Sequence, residues 1–181
     1  MANRDNHYEA AFEAYLRDRR VPYVAVDEAK RSLTAEGPSI KNLDFIVASP
    51  DGLSWLIDVK GRRFPSGDEQ PQYWKNWSTT DDLVSLRRWE NLFGSQFVGL
   101  FVFAYNIVGD RAPLPAEQLF EFREALYGFV AVQLDDYEAA ARPISPAWDT
   151  VAVPTAKFRR MACPVERFIL AEGPKPVRLF E

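Results

Sequence analysis

Residues 41–63, KNLDFIVASPDGLSWLIDVKGRR, decide the fold of this chain. Two apolar segments flank the tetrapeptide SPDG at positions 49–52. Proline at the second position of a turn and glycine at the fourth are typical of a type I turn whose glycine has a positive φ and forms a bulge. The stretch therefore predicts an antiparallel β-hairpin.

The turn also fixes the register of the hairpin. Counting outward from a loop that pairs Ser49 with Leu53, Asp44 falls directly opposite Asp58, with Cβ atoms about 5 Å apart. Lys60 is two residues beyond Asp58 and therefore projects from the same side of its strand. The opposite face is expected to carry the apolar residues Leu43, Phe45, Val47, Trp55, Ile57 and Val59.

The two aspartates of the hairpin need a partner. Carboxylates among apolar strand residues cost free energy unless cations or donors meet them, and like charges facing each other repel. Lys60 offsets only part of that repulsion, so the pair predicts a divalent metal site. The alternative is a solvent-facing strand that simply exposes both acids. Ile46 and Leu56 share the face with the acids and favour a covered site.

Composition points to one folded domain. The 181 residues are 47% hydrophobic and 14% aromatic, which supports a sizeable core and excludes a disordered chain. The net charge of -4 argues against a protein that coats nucleic acid non-specifically. A single cysteine excludes an intramolecular disulfide and a multi-cysteine zinc site, and a single histidine excludes a poly-histidine metal centre.

The sequence predicts no membrane segment. Met1 is followed by polar and charged residues rather than an apolar leader, and the longest apolar run, residues 97–105, is too short to cross a bilayer. We therefore expect a soluble, cytoplasmic protein with no membrane partner.

Periodicity and punctuation predict an α/β (α+β) fold. The order helix, three strands, helix, strand, helix, strand gives a mixed β-sheet flanked by helices. The expected helices cover residues 6–20, 80–93, 115–126, 136–142 and 156–162, and the strands outside the hairpin cover residues 21–26, 97–105, 129–134 and 150–153. Asp5 or Asn6 is the expected cap of the first helix, and Thr79 or Thr80 that of the second. Residues 1–142 are expected to form the core, with the proline-rich residues 143–181 as a C-terminal extension packed on it.

A short set of residues resembles a known nuclease superfamily. Glu9 on the first helix, Asp44 near a strand end and DVK at Asp58 to Lys60 are similar to the pattern of the PD-(D/E)xK, or restriction-endonuclease-like, superfamily. Their order and spacing most resemble those of archaeal Holliday-junction resolvases. Two positions depart from the motif, because Leu43 stands where its name has proline, and position 58 is aspartate where glutamate is commoner.

The N-terminal string HYEAAFE, residues 7–13, resembles a second group. It is similar to the signature of the uncharacterised bacterial HYExAFE proteins. That likeness implies no established activity.

The superfamily resemblance implies metal-dependent phosphodiester hydrolysis in DNA or structured nucleic acid. Glu9, Asp44 and Asp58 would hold Mg²⁺ or Mn²⁺, with the carbonyl of Val59 as a further ligand. Lys60 would orient the attacking water or stabilise the anion of the transition state. Many superfamily members are dimers, so a homodimer is one expected state. The alternative is a non-catalytic module that binds nucleic acid or protein and retains the nuclease fold.

Glu9 also has a structural interpretation. If Asn6 is the cap, Glu9 occupies the third helical position and pairs with the cap as in a capping box. Glu13, one turn later on the same face, is the reserve candidate for the site. His7 is expected to make a polar contact or to orient a neighbour rather than to bind metal.

Basic and aromatic residues after the hairpin offer a weaker indication of a partner. Arg62, Arg63 and Lys75 are candidate nucleic-acid contacts, because aromatic residues that flank cations can stack bases beside phosphate contacts. For Trp74 and Trp77, sealing an edge of the core is the favoured alternative.

Overall fold

The computed structural model describes residues 6–26 and 40–170. The α-helices are α1 (His7–Asp18), α2 (Thr80–Phe93), α3 (Leu134–Ala140), α4 (Thr155–Met161) and α5 (Glu166–Ile169). The strands are β1 (Tyr23–Ala25), β2 (Phe45–Ala48), β3 (Ser54–Phe64), β4 (Ser78–Thr79), β5 (Phe97–Ile107), β6 (Phe120–Phe122), β7 (Ala125–Gln133), β8 (Arg142–Ser145), β9 (Thr150–Ala152) and β10 (Cys163–Pro164).

The main sheet is mixed, as the sequence predicted. Its order in the described ranges is β1-β2-β3-β5-β7-β10, with β6 paired to β7. β3 and β5 run parallel, whereas the other neighbours are antiparallel. β5 lies between β3 and β7 and is buried on both faces, which explains its continuous apolar run. The α/β prediction of a mixed sheet flanked by helices is therefore confirmed.

Apolar layers cover both faces of this sheet. On one face, α1 contributes Phe12 and Leu16 to a cluster with Phe45, Ile57 and Val59. The cluster on the other face combines residues of the sheet with residues of α2, α3 and α4, among them Leu56, Leu86, Phe101, Tyr137 and Phe158. A smaller sheet of β4, β9 and β8 lies beside the second cluster, which includes Val153. None of the described helices is both long and apolar enough to span a membrane.

The hairpin has the predicted register over its strands. Ile46 pairs with Leu56, the amide of Ser49 donates to the carbonyl of Leu53, and Gly52 has the expected positive φ of 90°. Counted outward from the turn, the strand pairing ends at Phe45, and Asp44 is the first residue beyond it. Leu43 was expected on the face of Phe45 but packs in the opposite cluster, because the chain leaves the sheet at Asp44.

The helix expected over residues 115–126 is wrong. This segment forms a short 3-10 turn at Ala116–Gln118 and the strand β6, which joins β7 in a hairpin. Arg123 and Glu124 both have positive φ, as the tight turns between antiparallel strands require. The alternation of Phe120 and Phe122 decides the outcome, because both rings pack against the α1 cluster.

Residues 143–170 share the layers of the rest of the fold. β9 pairs with β4, and β10 pairs with β7 at one side of the main sheet. Phe158 is fully buried, and the side chain of Asn76 hydrogen-bonds to both backbone groups of Val153. The division into a core and an extension stays a prediction, and residues 171–181 lie outside the described ranges.

Candidate active site

A cleft of about 510 Å³ opens where β2 stops pairing with β3. The α1 side and the α2 side of the sheet both reach it, because Glu9 comes from α1 and Asp82 from α2. The charged residues that line it are Glu9, Lys41, Asp44, Asp58, Lys60, Asp81 and Asp82. The four residues predicted for catalysis are therefore brought together in one cleft.

Asp44 completes the edge of β3 that β2 leaves open. Its Oδ2 accepts a hydrogen bond of 2.6 Å from the buried amide of Val59, the residue after Asp58. Its own amide donates to the carbonyl of Ile57. A side-chain oxygen thus replaces the strand partner that the amide would otherwise lack, because a buried N–H group requires an acceptor.

Lys60 lies between two carboxylates. Its Nζ is 2.8 Å from Oδ1 of Asp58 and 3.0 Å from Oδ2 of Asp82. The side chains of Asp58 and Lys60 are each 15% exposed, so the alternative of a solvent-facing strand is wrong. The contact also confirms that Asp58 and Lys60 project from the same side of β3.

Burial and charge act in opposite directions on these groups. Burial would lower the pKa of Lys60, but the attraction of Asp58 and Asp82 outweighs it and raises the pKa above the ordinary value. Burial, together with the charge of Asp82, raises the pKa of Asp58 against the opposing effect of Lys60. Lys60 is therefore held as an ammonium ion and is not suited to act as a general base near neutral pH.

Asp82 and Lys41 are members of the cleft that the sequence did not single out. Asp82 forms a capping box with Thr79 at the start of α2, and its Oδ1 lies 3.0 Å from Nζ of Lys41. Lys41 also lies 3.3 Å from Asp81, and its carbonyl accepts from the indole of Trp89. Asp82 is an acid in the first turn of α2, and the packing of α2 on the sheet brings it to Lys60.

Glu9 lies at the cleft with only 4% of its surface exposed. Asn6 is the cap of α1, accepts from the amide of Tyr8 and donates through its side-chain amide to Glu9. Glu9 is thus in contact with the helix cap while it lines the cleft. The alternative cap, Asp5, lies outside the described residues.

Glu13 and His7 are used elsewhere. Glu13 accepts hydrogen bonds of 2.7 Å from Arg17 and 2.9 Å from the hydroxyl of Tyr23, and it does not line the cleft. His7 makes the expected polar contact, with its Nδ1 2.7 Å from the hydroxyl of Tyr127.

The three candidate nucleic-acid contacts lie outside the cleft lining. The guanidinium of Arg62 lies 3.9 Å from the ring centre of Trp77 and donates to the carbonyls of Gly61 and Trp77. Arg63 pairs with the exposed Asp68 at 3.4 Å, and Lys75 is half-buried.

Trp74 and Trp77 have different environments. Trp74 packs edge-on against Phe64, Tyr105 and Phe158. It therefore seals an edge of the core, which is the role that the sequence analysis favoured for it. Trp77 remains 38% exposed.

The donor groups fit a magnesium-type ion that keeps much of its water. Within residues 6–26 and 40–170, no three acidic, histidine or cysteine side chains are grouped so that they could hold a metal ion together. Mg²⁺ is commonly held by one or two carboxylates and retains several waters. Asp44 is hydrogen-bonded to the amide of Val59, and Asp58 is the residue before Val59. Both line the cleft and can supply the one or two carboxylates that such an ion needs. Oxygen donors of this kind suit Mg²⁺ and Mn²⁺ rather than softer metals.

Comparison with solved structures finds similar chains. The chain is similar to the Holliday junction resolvase Hjc of Archaeoglobus fulgidus, solved at 1.6 Å resolution, with 12% sequence identity and a TM-score of 0.49. The alignment covers 89% of this chain and 96% of that one. A likeness at this level does not establish a shared activity. No protein-family model and no curated protein matches the chain, so the HYExAFE resemblance stays a prediction.

Proposed function

We propose that the chain is a metal-dependent nuclease that hydrolyses phosphodiester bonds in DNA or structured nucleic acid. One observation carries the proposal: Asp44, Asp58 and Lys60 meet Glu9 from a separate helix in a single polar cleft. Three acids and a lysine cost free energy when they are gathered in a partly buried site, and metal-assisted hydrolysis is a chemistry that uses all four.

Each residue has a role that its contacts support. Asp44 and Asp58 would hold Mg²⁺ or Mn²⁺, with Glu9 reaching the ion through water. When bound, the ion would activate water and offset charge on the phosphate oxygens. Lys60 remains charged between Asp58 and Asp82, so it would stabilise the developing anion or orient the attacking water. Asp82 would keep the Lys60 ammonium in place.

Cleavage assays with three substrates test the proposal. Plasmid, single-stranded DNA and RNA are incubated with the protein in Mg²⁺ or Mn²⁺, and with EDTA as the blank. We expect metal-dependent cleavage that falls about 100-fold or more in Asp58→Ala and in Lys60→Ala. Asp136→Ala is the matched control, because that acid is exposed and lies outside the cleft lining.

The alternative module gives a different result. A protein that cleaves none of the three substrates, and whose melting temperature does not respond to Mg²⁺ or Mn²⁺, is a binding module that retains the fold. That pair of results would overturn the nuclease proposal.

A further inference from the structure

An apolar groove lies beside the cleft and has no role in the chemistry proposed above. It has a volume of about 480 Å³ and is lined by Trp77, Thr79, Ile144, Trp148 and Thr150. Three of these side chains are large, apolar and exposed, namely Trp77 at 38%, Ile144 at 56% and Trp148 at 78%. Single exposed apolar residues are ordinary on a protein surface, but three that line one groove are typical of a binding site.

Two elements connect the lining of the groove with that of the cleft. Arg62, whose guanidinium stacks on Trp77, is two residues after Lys60 on β3, so both side chains project from the same face of the sheet. Thr79 lines the groove, and its hydroxyl accepts from the amide of Asp82, which contacts Lys60. A ligand in the groove would therefore be a short distance from the proposed reaction centre.

The backbone next to Trp148 is hydrogen-bonded to α2. It ends the 3-10 turn Pro146–Trp148, and the next residue, Asp149, has a positive φ of 47°. The carbonyl of Asp149 accepts a hydrogen bond of 2.9 Å from the amide of Thr80, the first residue of α2. The loop that presents Trp148 is thus fixed to the helix that carries Asp82.

We propose that this groove binds an unpaired nucleobase of the substrate strand, so that the site prefers single-stranded or unstacked nucleic acid. The choice of nucleic acid as the ligand rests on the proposed function. Aromatic faces stack bases without regard to sequence, and the two threonines offer hydroxyls for base edges. The groove lining contains no acid among the described residues, and the Arg62 guanidinium stacked on Trp77 adds a positive charge beside it. A base within a duplex remains stacked on its neighbours and cannot enter the groove.

Binding without cleavage tests this inference separately from the nuclease activity. Fluorescence anisotropy in EDTA follows a labelled oligothymidylate of about 16 nucleotides, the upper site length for one single-strand-binding fold. We expect Trp148→Ala to weaken binding about 5- to 100-fold, because stacking on one aromatic side chain accounts for that range. Trp148→Phe should retain most of the wild-type affinity. The affinity of Trp148→Ala for duplex DNA should differ from that of the wild type by less than about twofold.

The control variant is Leu92→Ala, which removes another exposed apolar side chain, 59% exposed, on α2 and outside the groove lining. It should bind as the wild type does. Unchanged oligothymidylate binding in Trp148→Ala, or no binding by the wild type, would overturn the inference. It would also be overturned if Trp148→Ala abolished self-association in sedimentation, because a second copy of the chain would then be the occupant. Oligothymidylate binding that depends on Trp148, in a protein that cleaves no substrate and whose melting temperature does not respond to Mg²⁺ or Mn²⁺, would support the groove and overturn the nuclease proposal.

Discussion

At the scale of single residues, Asp44 combines a structural task with a proposed chemical one. Its carboxylate accepts from the buried Val59 amide. Asp44→Ala should lower the free energy of unfolding by about 1–3 kcal/mol, because the amide loses its acceptor. Asp44→Asn keeps an oxygen acceptor and should lower the free energy of unfolding by about 1 kcal/mol or less. Mn²⁺ should not raise the melting temperature of either variant.

Urea unfolding measures the first effect, and thermal unfolding in EDTA and in excess Mn²⁺ measures the second. The wild type should be stabilised by the metal. Equal destabilisation by alanine and asparagine would contradict the role of the hydrogen bond, and a full metal response in Asp44→Asn would remove Asp44 from the ligand set.

Asp82 offers a second test at this scale. It accepts from the cap of α2 and contacts both Lys60 and Lys41, with only 11% of its side chain exposed. Asp82→Asn should lower the free energy of unfolding by about 1–3 kcal/mol, because the partly buried Lys60 ammonium loses one of its two carboxylates and the exposed Lys41 loses another. Urea unfolding is the measurement.

The neighbouring acid supplies the control for Asp82. Asp81 is 59% exposed, and within the described residues its one ion pair is with Lys41. Asp81→Asn should change the stability by at most about 0.5 kcal/mol. Similar losses in both variants would show that Asp82 acts only through the general charge at the helix start.

Local chemistry made part of the cleft predictable. The SPDG turn fixes the register of the hairpin, and strand alternation places Asp58 and Lys60 on one face of β3, as the structure confirms. Asp82 could not be found in this way, because a first-turn acid has the same sequence signal whether it faces solvent or a buried lysine. The prediction put Leu43 on the wrong face of the sheet, because strand alternation holds only while the strands remain paired.

At the scale of elements, the contact between α1 and β3 positions Glu9. Gly61 has no side chain where the ring of Tyr8 crosses the strand, and a Cβ there would lie 2.1 Å from Cδ2 of Tyr8. Gly61→Ala should lower the free energy of unfolding by about 1–3 kcal/mol, because the ring and the start of α1 must move. Cleavage should also fall, since Glu9 is one residue from Tyr8.

A double-mutant cycle measures this contact. Tyr8→Ala removes the ring that the new methyl group meets, so the double variant should be more stable than the sum of the two single changes predicts. Strict additivity would show that Gly61 is needed for another reason.

Elements with a strong local signal were predictable, whereas a segment with ambiguous apolar spacing was not. α2 has its cap at Thr79, its acids in the first turn and Gly94 after its last residue, and it has the expected bounds. The segment around β6 misled the prediction because its apolar spacing fits a helix as well as a strand. Packing of Phe120 and Phe122 on the α1 cluster decides between them.

At the scale of the whole molecule, residues after 142 contribute to the central core. Phe158 is fully buried against Trp74 and Phe103. Phe158→Ala should lower the free energy of unfolding by about 3–5 kcal/mol, since it leaves a cavity under the sheet. Ile144→Ala, in the same part of the chain but 56% exposed, should cost less than about 0.5 kcal/mol.

Urea denaturation followed by fluorescence and by circular dichroism measures both variants. We expect a single cooperative transition in each, because the late strands and helices belong to the same layers as the early ones. A small effect of Phe158→Ala, or two separate transitions, would show instead that this part of the chain is a separable extension.

The bond from Asp44 to Val59 affects how related sequences should be interpreted. A descendant that had lost hydrolysis would still be under selection to keep an acceptor at position 44, because its strand edge would otherwise be incomplete. Conservation of that acid among homologues would therefore report on folding as much as on chemistry. Lys60 pairs with Asp82 as well as with Asp58, so the fold depends less on Asp58. Replacement of Asp58 would therefore be the more informative sign that the proposed activity has been lost.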